Sequence, residues 1–514
     1  MIAKRVGRAI AGLAFLPAIA FAVSDNVPLQ ANLRTYSARS VTSSVARLPA
    51  SSVTYALDRA ITDSLNVVFA SYDNAGEPGH VTTNQDVTVN QSTGSILLCG
   101  KIDVQGTPAG YIVQTDSSGT PIAAVAFTYQ GGHAPVCSGI ATDETTGRVY
   151  VAVTDVDDAT SMTRGIIDAY DPDGAGSFNQ NPNGAALLGD PNHPGNNAAG
   201  GAAVDQATEE SFFTFTLHTA DPGPPPVPEG DYVGVASLNA AFDTLIYNFF
   251  FPIQGTDGGG GLAIAARTDG TNVVAIGGYL IENGTRQVMG AVIGPDGING
   301  SAFFSEAPDP TCSPQPTCGP DQITKLQWNA DVLPGPSVVT KILLTGQKYT
   351  SVQGGPVSEY VTNIRLACTW TTNPAECVAP DTQCCRENAS PFDWFTVYTG
   401  TVRTPGDHRG GGGVAFRIPG ATSGDFYMGG ASRPTGVTSG PYYNLVSRLN
   451  DDGSRAEIFL IHSSGSGDDI NNSLCYNAVT DRISAVGDTM NPGWSTDGSV
   501  FQGPQDGYDV ILGL

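Results

Sequence analysis

One phrase returns seven times along this chain. An apolar strand ending in Gly or Thr is followed, after a loop, by a second apolar strand that runs into an Asp/Asn/Gly turn. SILLCG at 95–100 leads to YIVQTDSSG at 111–119. NVVAIGG at 272–278 leads to VMGAVIGPDG at 288–297, and DFYMGG at 425–430 to YYNLVSRLNDDG at 442–453. A supersecondary unit recurring at roughly 45–75 residues marks a propeller or an array, and it constrains the fold before any single residue is weighed.

The seven units cover about 86–131, 137–185, 198–252, 259–306, 321–400, 409–462 and 470–514. Charged residues are scarce (14%), Gly is abundant (63), and no long stretch shows helical periodicity. Apolar runs bounded by Gly, Pro, Asn and Asp predict many short strands and tight turns. Among them are RVYVAVT (148–154), GIIDAY (165–170), SFFTFTLHT (211–219), YVGVASL (232–238) and LIYNFFF (245–251). The expected fold is therefore all-β: a seven-bladed β-propeller of four-stranded antiparallel blades spanning 61–514. Its fifth unit carries a Cys-rich insertion at about 368–390, between that unit's last two strands. RISAVGDT (482–489) and GYDVILGL (507–514) leave the last unit one strand short, while LNVVFASY (65–72) has no partner beside it in sequence. Docking the spare strand against the incomplete unit closes the ring and protects its edges. Residues 23–60, rich in Ser, Ala, Thr and Arg, read as a flexible lead-in.

The pairing of RISAVGDT with GYDVILGL, and of DFYMGGAS with YNLVSRLNDDG, resembles the bacterial SBBP-type β-propeller repeats, whose strands read like IYVAG and DAFVAKLD. The resemblance covers about 420 residues, about the span of the seven units, and units three and five depart from it. It implies a secreted or surface-exposed propeller and no particular activity.

The first 22 residues have the pattern of a secretory signal. Lys4, Arg5 and Arg8 form a positive start, 9–21 is apolar, and Ala20-Phe21-Ala22 fits a small-x-small cleavage site. No other segment is apolar enough to span a bilayer, so the expected location is secreted, periplasmic or cell surface, without a membrane span after signal removal. The net charge of −25 repels phosphate backbones and argues against nucleic acid as a partner. Nine cysteines in an exported chain point to disulfides with one thiol left over. Cys312 and Cys318 look like a local pair, and Cys368, Cys377, Cys384 and Cys385 staple the insertion. One of Cys99, Cys137 and Cys475 is a candidate for the unpaired thiol. Glycosylation sequons stand at Asn90, Asn283, Asn299, Asn388 and Asn471.

Familiar chemistry is missing from the motifs. The glycine runs at 258–261 and 410–413 lack the Gly-Lys-Ser/Thr of a phosphate loop and precede strands expected at the axis, as does AAGGAA at 198–203. Asp171-Pro172-Asp173-Gly174 opens like a calcium loop but no Glu closes it. Turns of this kind recur with Asp116 and Gly119, at Asp296-Gly297, and at Asp451-Asp452-Gly453, which is what hairpins at one repeat position give. No nucleophile elbow, haem-attachment motif or zinc helix is present.

The histidines are few and well placed. His133, His193 and His408 fall in connections from the last strand of one unit to the first of the next. Asp190, Asp407, Arg409, Asp468 and Asp469 share those connections. The loops between second and third strands open on the same rim and carry Asp155, Asp157, Asp158 and His218. Two of these loops are long: 218–231 is Pro-rich, and 490–507 presents Trp494 and Phe501. His133, His193, His408 and Asp407 form a candidate divalent-cation set, for calcium or a transition metal. Asp155, Asp157, Asp158, His218, Arg409, Asp468, Asp469 and Trp494 form a candidate binding rim. The expected function is a secreted module that binds a protein or glycan through this acidic rim. Two alternatives stay open: a metal-dependent hydrolase or lyase using the same His and Asp residues, and a structural surface or matrix component.

Overall fold

Residues 149–153 read Val-Tyr-Val-Ala-Val, with no polar alternation, and all are buried. They form a strand because both of its faces are covered. Side chains alternate across a strand. Val149, Val151 and Val153 pack with Leu97, Cys99, Ile112 and Phe127 on one side, while Tyr150 and Ala152 pack with Phe213, Phe215 and Tyr232 on the other. A sheet stacked between two others has no solvent face, which turns the expected period of two into continuous apolar runs.

A computed structural model describes residues 46–48, 54–57, 67–72 and most of 81–513; the longer stretches outside the described residues are 1–45, 306–321, 372–383, 399–407 and 491–504. Three short strands lead: β1 (Ala46–Leu48), β2 (Thr54–Leu57) and β3 (Val67–Tyr72). The first sheet runs β4 (Thr82–Asn90), β5 (Ser95–Val104), β6 (Thr107–Thr115), β7 (Pro121–Phe127). In the second, β8 (Val136–Thr142), β9 (Val149–Val156) and β10 (Thr163–Pro172) are followed by an outer position split between β11 (Phe178–Gln180) and β12 (Ala186–Leu188). The third is β13 (Ala198–Asp205), β14 (Glu210–Asp221), β15 (Val227–Leu238), β16 (Leu245–Phe251). The fourth is β17 (Gly258–Ala266), β18 (Val274–Glu282), β19 (Thr285–Ile293), β20 (Ala302–Ser305). The fifth has β21 (Gln322–Val332), β22 (Val338–Tyr349) and β23 (Val357–Thr371), with β24 (Cys384–Glu387) and β25 (Phe392–Tyr398) both on the outer edge of β23. In the next, β26 (His408–Arg409) and β27 (Val414–Arg417) share the innermost place before β28 (Asp425–Ser432), β29 (Tyr443–Leu449) and β30 (Arg455–His462). The last holds β31 (Asp469–Asn477), β32 (Arg482–Thr489) and β33 (Asp506–Gly513). The architecture is an all-β propeller of antiparallel blades.

The innermost strands pack side by side in chain order, β4 against β8, β8 against β13, and so on through β27 and β31, and β31 packs back against β4. Their crowding explains the glycines. A Cβ on Gly200 of β13 would lie 2.3 Å from the carbonyl oxygen of Gly261 in β17, and one on Gly139 of β8 would lie 2.6 Å from Gly201 Cα. Only a missing side chain permits this approach. The glycine runs at 198–203 and 258–261 thus belong to the innermost strands themselves rather than to the loops before them.

Six innermost strands carry a bulge at the same height. The register shifts between Asn84 and Asp86, Cys137 and Gly139, Ala199 and Gly201, Gly261 and Ala263, Ile323 and Lys325, and Asn471 and Ser473. An extra residue at a bulge sharpens the local twist and re-aims the side chains that follow.

The spare strand does close the chain on itself. β3 pairs antiparallel with β33, from Val67 opposite Leu512 to Tyr72 opposite Gly507. The lead-in needs correcting. β1 pairs with β3, and β2 pairs with β30, so 46–48 and 54–57 extend the outer edges of the last two sheets. Edge strands bond with any extended backbone, whatever its side-chain pattern, and so short a segment needs no amphipathic signal. The 218–231 loop is likewise largely a hairpin: His218 stands opposite Asp231 and Asp221 opposite Val227.

Candidate functional site

The loop face of the second and third sheets carries the described part of the predicted rim. His133, between β7 and β8, meets Asp158 of the β9–β10 loop at 2.7 Å through Nδ1, and both side chains are 56% exposed. Asp157, beside it, caps its own loop. It accepts from the Thr160 hydroxyl and from the backbone N–H groups of Thr160 and Ala159, with the Arg164 guanidinium nearby, and these hold its carboxyl below the usual range. His218 of β14 lies between two carboxylates of β15, with Nδ1 2.8 Å from Asp231 and Nε2 3.3 Å from Glu229. Its pKa is raised, chiefly by the hydrogen bond to Asp231. This pairing follows from register, since residues opposite each other in an antiparallel pair share a face.

Other predicted rim residues prove to be internal supports. Asp155 is fully buried, accepts from the Ala134 N–H at 3.0 Å and pairs with Arg164 at 2.9 Å. It ties the connection before β8 to β10. Asp469 is buried and accepts from the Thr489 hydroxyl at 2.5 Å. Asp468 accepts the Tyr442 N–H at 2.9 Å, joining β29 and β31. These three hold loops and strands together.

The described members of the candidate cation set lie on separate elements. His133 is engaged by Asp158, and His193 lies half-buried ahead of β13. His408 and Arg409, in β26, pair by backbone with Ser432 and Ala431 of β28 in the sixth sheet. Asp190, Asp407 and Trp494 lie outside the described residues. Among the described residues no three His, Cys, Asp or Glu side chains are grouped to hold a metal. At the calcium-like turn, Asp171 binds Arg148 at 2.6 Å, while Asp173 accepts the N–H groups of Ala175 and Ser177 at 2.7 and 2.9 Å. The two carboxylates thus serve separate partners. The cysteine expectation is resolved for three residues: Cys99 and Cys137 form a disulfide joining β5 to β8, and Cys475 is free.

A second feature lies on the axis. A cavity of about 180 Å³ is bounded by residues of β4, β8, β13, β17, β21 and β31 and by Gly413. Lys325 Nζ reaches across it to Asp86 Oδ1 at 2.5 Å, joining the fifth sheet to the first. Asp86 also accepts from the Ser473 hydroxyl at 2.7 Å and the Ile140 N–H at 3.1 Å. At the position after the bulge the six strands carry Asp86, Gly139, Gly201, Ala263, Lys325 and Ser473. The sequence holds this signal: aligning the units by their first strands leaves two charged residues where the others are small.

No family model matches the chain, and no curated protein matches it. Solved structures of similar shape include the WD40 repeats of RRP9, with 10% identity over 91% of this chain and 99% of that one, at a TM-score of 0.42. Sqt1 of Chaetomium thermophilum, bound to the N-terminus of ribosomal protein L10, gives 11% identity over 85% and 98%, at 0.38. The β-propeller domain of the Trilobed protease from Pyrococcus furiosus gives 8% over 80% and 90%, at 0.36. At such scores the likeness carries no functional argument, and the propeller rests on this chain's own strand pairing.

Proposed function

We propose that this chain is a secreted, seven-bladed propeller of the SBBP type that acts as a binding module. It engages a cationic segment of a partner protein through the loop face of its second and third blades. Sheets led by β4, β8, β13, β17, β21, β27 and β31 support the blade count. The leader pattern of residues 1–22 and the Cys99–Cys137 disulfide support export.

One observation carries the reading. Asp158, Glu229 and Asp231 stand 56%, 61% and 45% exposed on one face, with Asp158 and Asp231 set by His133 and His218. Pre-positioned carboxylates on a face of this sign steer a basic partner and select against acidic ones. Each histidine is committed to carboxylates of its own surroundings, which suits recognition better than acid–base work on a shared substrate.

The test is a binding titration with Lys/Arg-rich peptides, neutral peptides and oligosaccharides against the full chain, at low and high salt. Basic peptides should bind with steep salt dependence. The triple variant Asp158→Asn, Glu229→Gln, Asp231→Asn should weaken them by about tenfold or more. Unchanged affinity in the triple variant, or binding of oligosaccharides alone, would overturn the proposal.

A further inference from the structure

The axial cavity lies apart from the loop face and has its own chemistry. One wall is polar: Asp86 and Thr88 of β4, Lys325 of β21 and Ser473 of β31. Leu262 also lines the cavity, with Ile140, Ala202 and Ile264, whose side chains belong to the apolar cores between neighbouring sheets. An ammonium carries three donors. Among the described residues, Asp86 is the one acceptor of Lys325 Nζ, so two donors remain. Both charges keep access to the cavity, with Lys325 20% and Asp86 13% exposed. The cavity is larger than the roughly 150 Å³ known to hold a benzene ring.

We propose that this cavity binds a small zwitterion of the α-amino-acid type with a short apolar side chain. The carboxylate takes the open donors of Lys325, the ammonium takes Asp86, and the side chain lies against Leu262. The ion pair selects this class. Removing one partner of a poorly solvated pair leaves the other charge unpaired, which is strongly unfavourable. A lone carboxylate on the open donors of Lys325 sits beside Asp86 and is repelled by it, and a lone amine at Asp86 is repelled by Lys325. A zwitterion meets both charges at once. Among the described residues the lining carries no aromatic ring for a sugar to stack on, and Leu262 offers an aliphatic contact.

The experiment is calorimetry and thermal unfolding of the full chain with leucine, valine, isovalerate, isoamylamine and glucose. Leucine or valine should bind and raise the Tm, while isovalerate and isoamylamine should bind at least about a hundredfold more weakly. Lys325→Met should abolish amino-acid binding. Leu262→Trp fills the cavity from the bulge position, leaves the ion pair intact, and should also abolish it; this variant carries the test should Lys325→Met fail to fold. The proposal is overturned if neither amino acid binds, if isovalerate binds as well as leucine, or if Leu262→Trp retains full affinity. The loop-face reading stands or falls separately, because its triple variant leaves this cavity untouched.

Discussion

The backbone N–H of Asn84 in β4 donates to Asp488 Oδ1 in β32 at 3.0 Å, across the seam where the last sheet meets the first. Asn472 donates to the other oxygen of Asp488 at 2.8 Å, and Asn84 donates its side-chain amide to the Tyr508 carbonyl at 2.8 Å. Burial pushes the Asp488 carboxyl up to about 7, against the pull of these hydrogen bonds. An unfolded Asp titrates near 3.9, so between about 4 and 7 the folded chain keeps a proton the unfolded chain has released. The contribution of Asp488 to stability is therefore full in acid and is lost as pH rises to about 7. Urea unfolding at roughly pH 5 and pH 8 should show Asp488→Asn gaining stability relative to the native chain at the higher pH. Differences that stay equal at both values would mean that Asp488 ionises as an ordinary carboxylate does.

The Cys99–Cys137 bond links the second strand of one blade to the innermost strand of the next across 38 residues of chain. Cross-links over loops of this size stabilise by roughly 2–4 kcal/mol. The double variant Cys99→Ser, Cys137→Ser should lose about that much in denaturant unfolding, by the same principle. Cys475 behaves differently. Half-buried in the lining of the axial cavity, its thiol is pushed up by burial and by Asp509 and Asp86, so a maleimide should label it much more slowly in the native chain than in denaturant. Rapid labelling of the native chain would place the thiol at an open surface.

The strands were legible because sheets covered on both faces write themselves as apolar runs. LIYNFFF and RISAVGDT coincide with β16 and β32 residue for residue. Other features were hidden for physical reasons. The strands Ala46–Leu48 and Thr54–Leu57 are three and four residues long and pair along sheet edges, too short to write a periodicity. Asp86 and Lys325 are 239 residues apart and meet only because the blades form a ring. Asp155 and Asp469 had the look of loop acids, yet each satisfies an internal strand junction. One repeat was present but disguised. The first hairpins turn on Asn90, Asp143, Asp205 and Asn477, with Thr three residues later and a positive φ one residue beyond that. Gly94 and Gly147 announce that conformation; Glu209 and Asp481 conceal it.

Two of the five sequons lie where a glycan has no room in the folded chain. Asn90 is 4% exposed, and its Oδ1 accepts the N–H groups of Ser92 and Thr93 at 3.0 and 3.2 Å. Asn471 is 2% exposed and donates to Asn444 at 3.2 Å. In a glycosylating host, peptide mapping should find neither site occupied in correctly folded protein. Asn90→Ala should cost about 1–3 kcal/mol, because it strips the turn's donors of their acceptor.

The closing prediction concerns β3. Its ladder with β33 runs from Val67 opposite Leu512 to Tyr72 opposite Gly507, so removing it exposes the backbone of β33 as an open edge. Open edges recruit other chains. A chain starting at residue 74 should unfold at least about 5 °C lower and form concentration-dependent oligomers on size exclusion. That deletion also removes β1 and β2, so a second measurement isolates β3. A peptide of sequence LNVVFASY, added in excess, should restore much of the lost Tm by adding itself as a strand, whereas a scrambled peptide should not. Full recovery by the scrambled sequence, or an unchanged Tm on truncation, would show that the last sheet is stable without its amino-terminal strand. The packing of β31, β32 and β33 against β4 would then hold the two ends of the chain together.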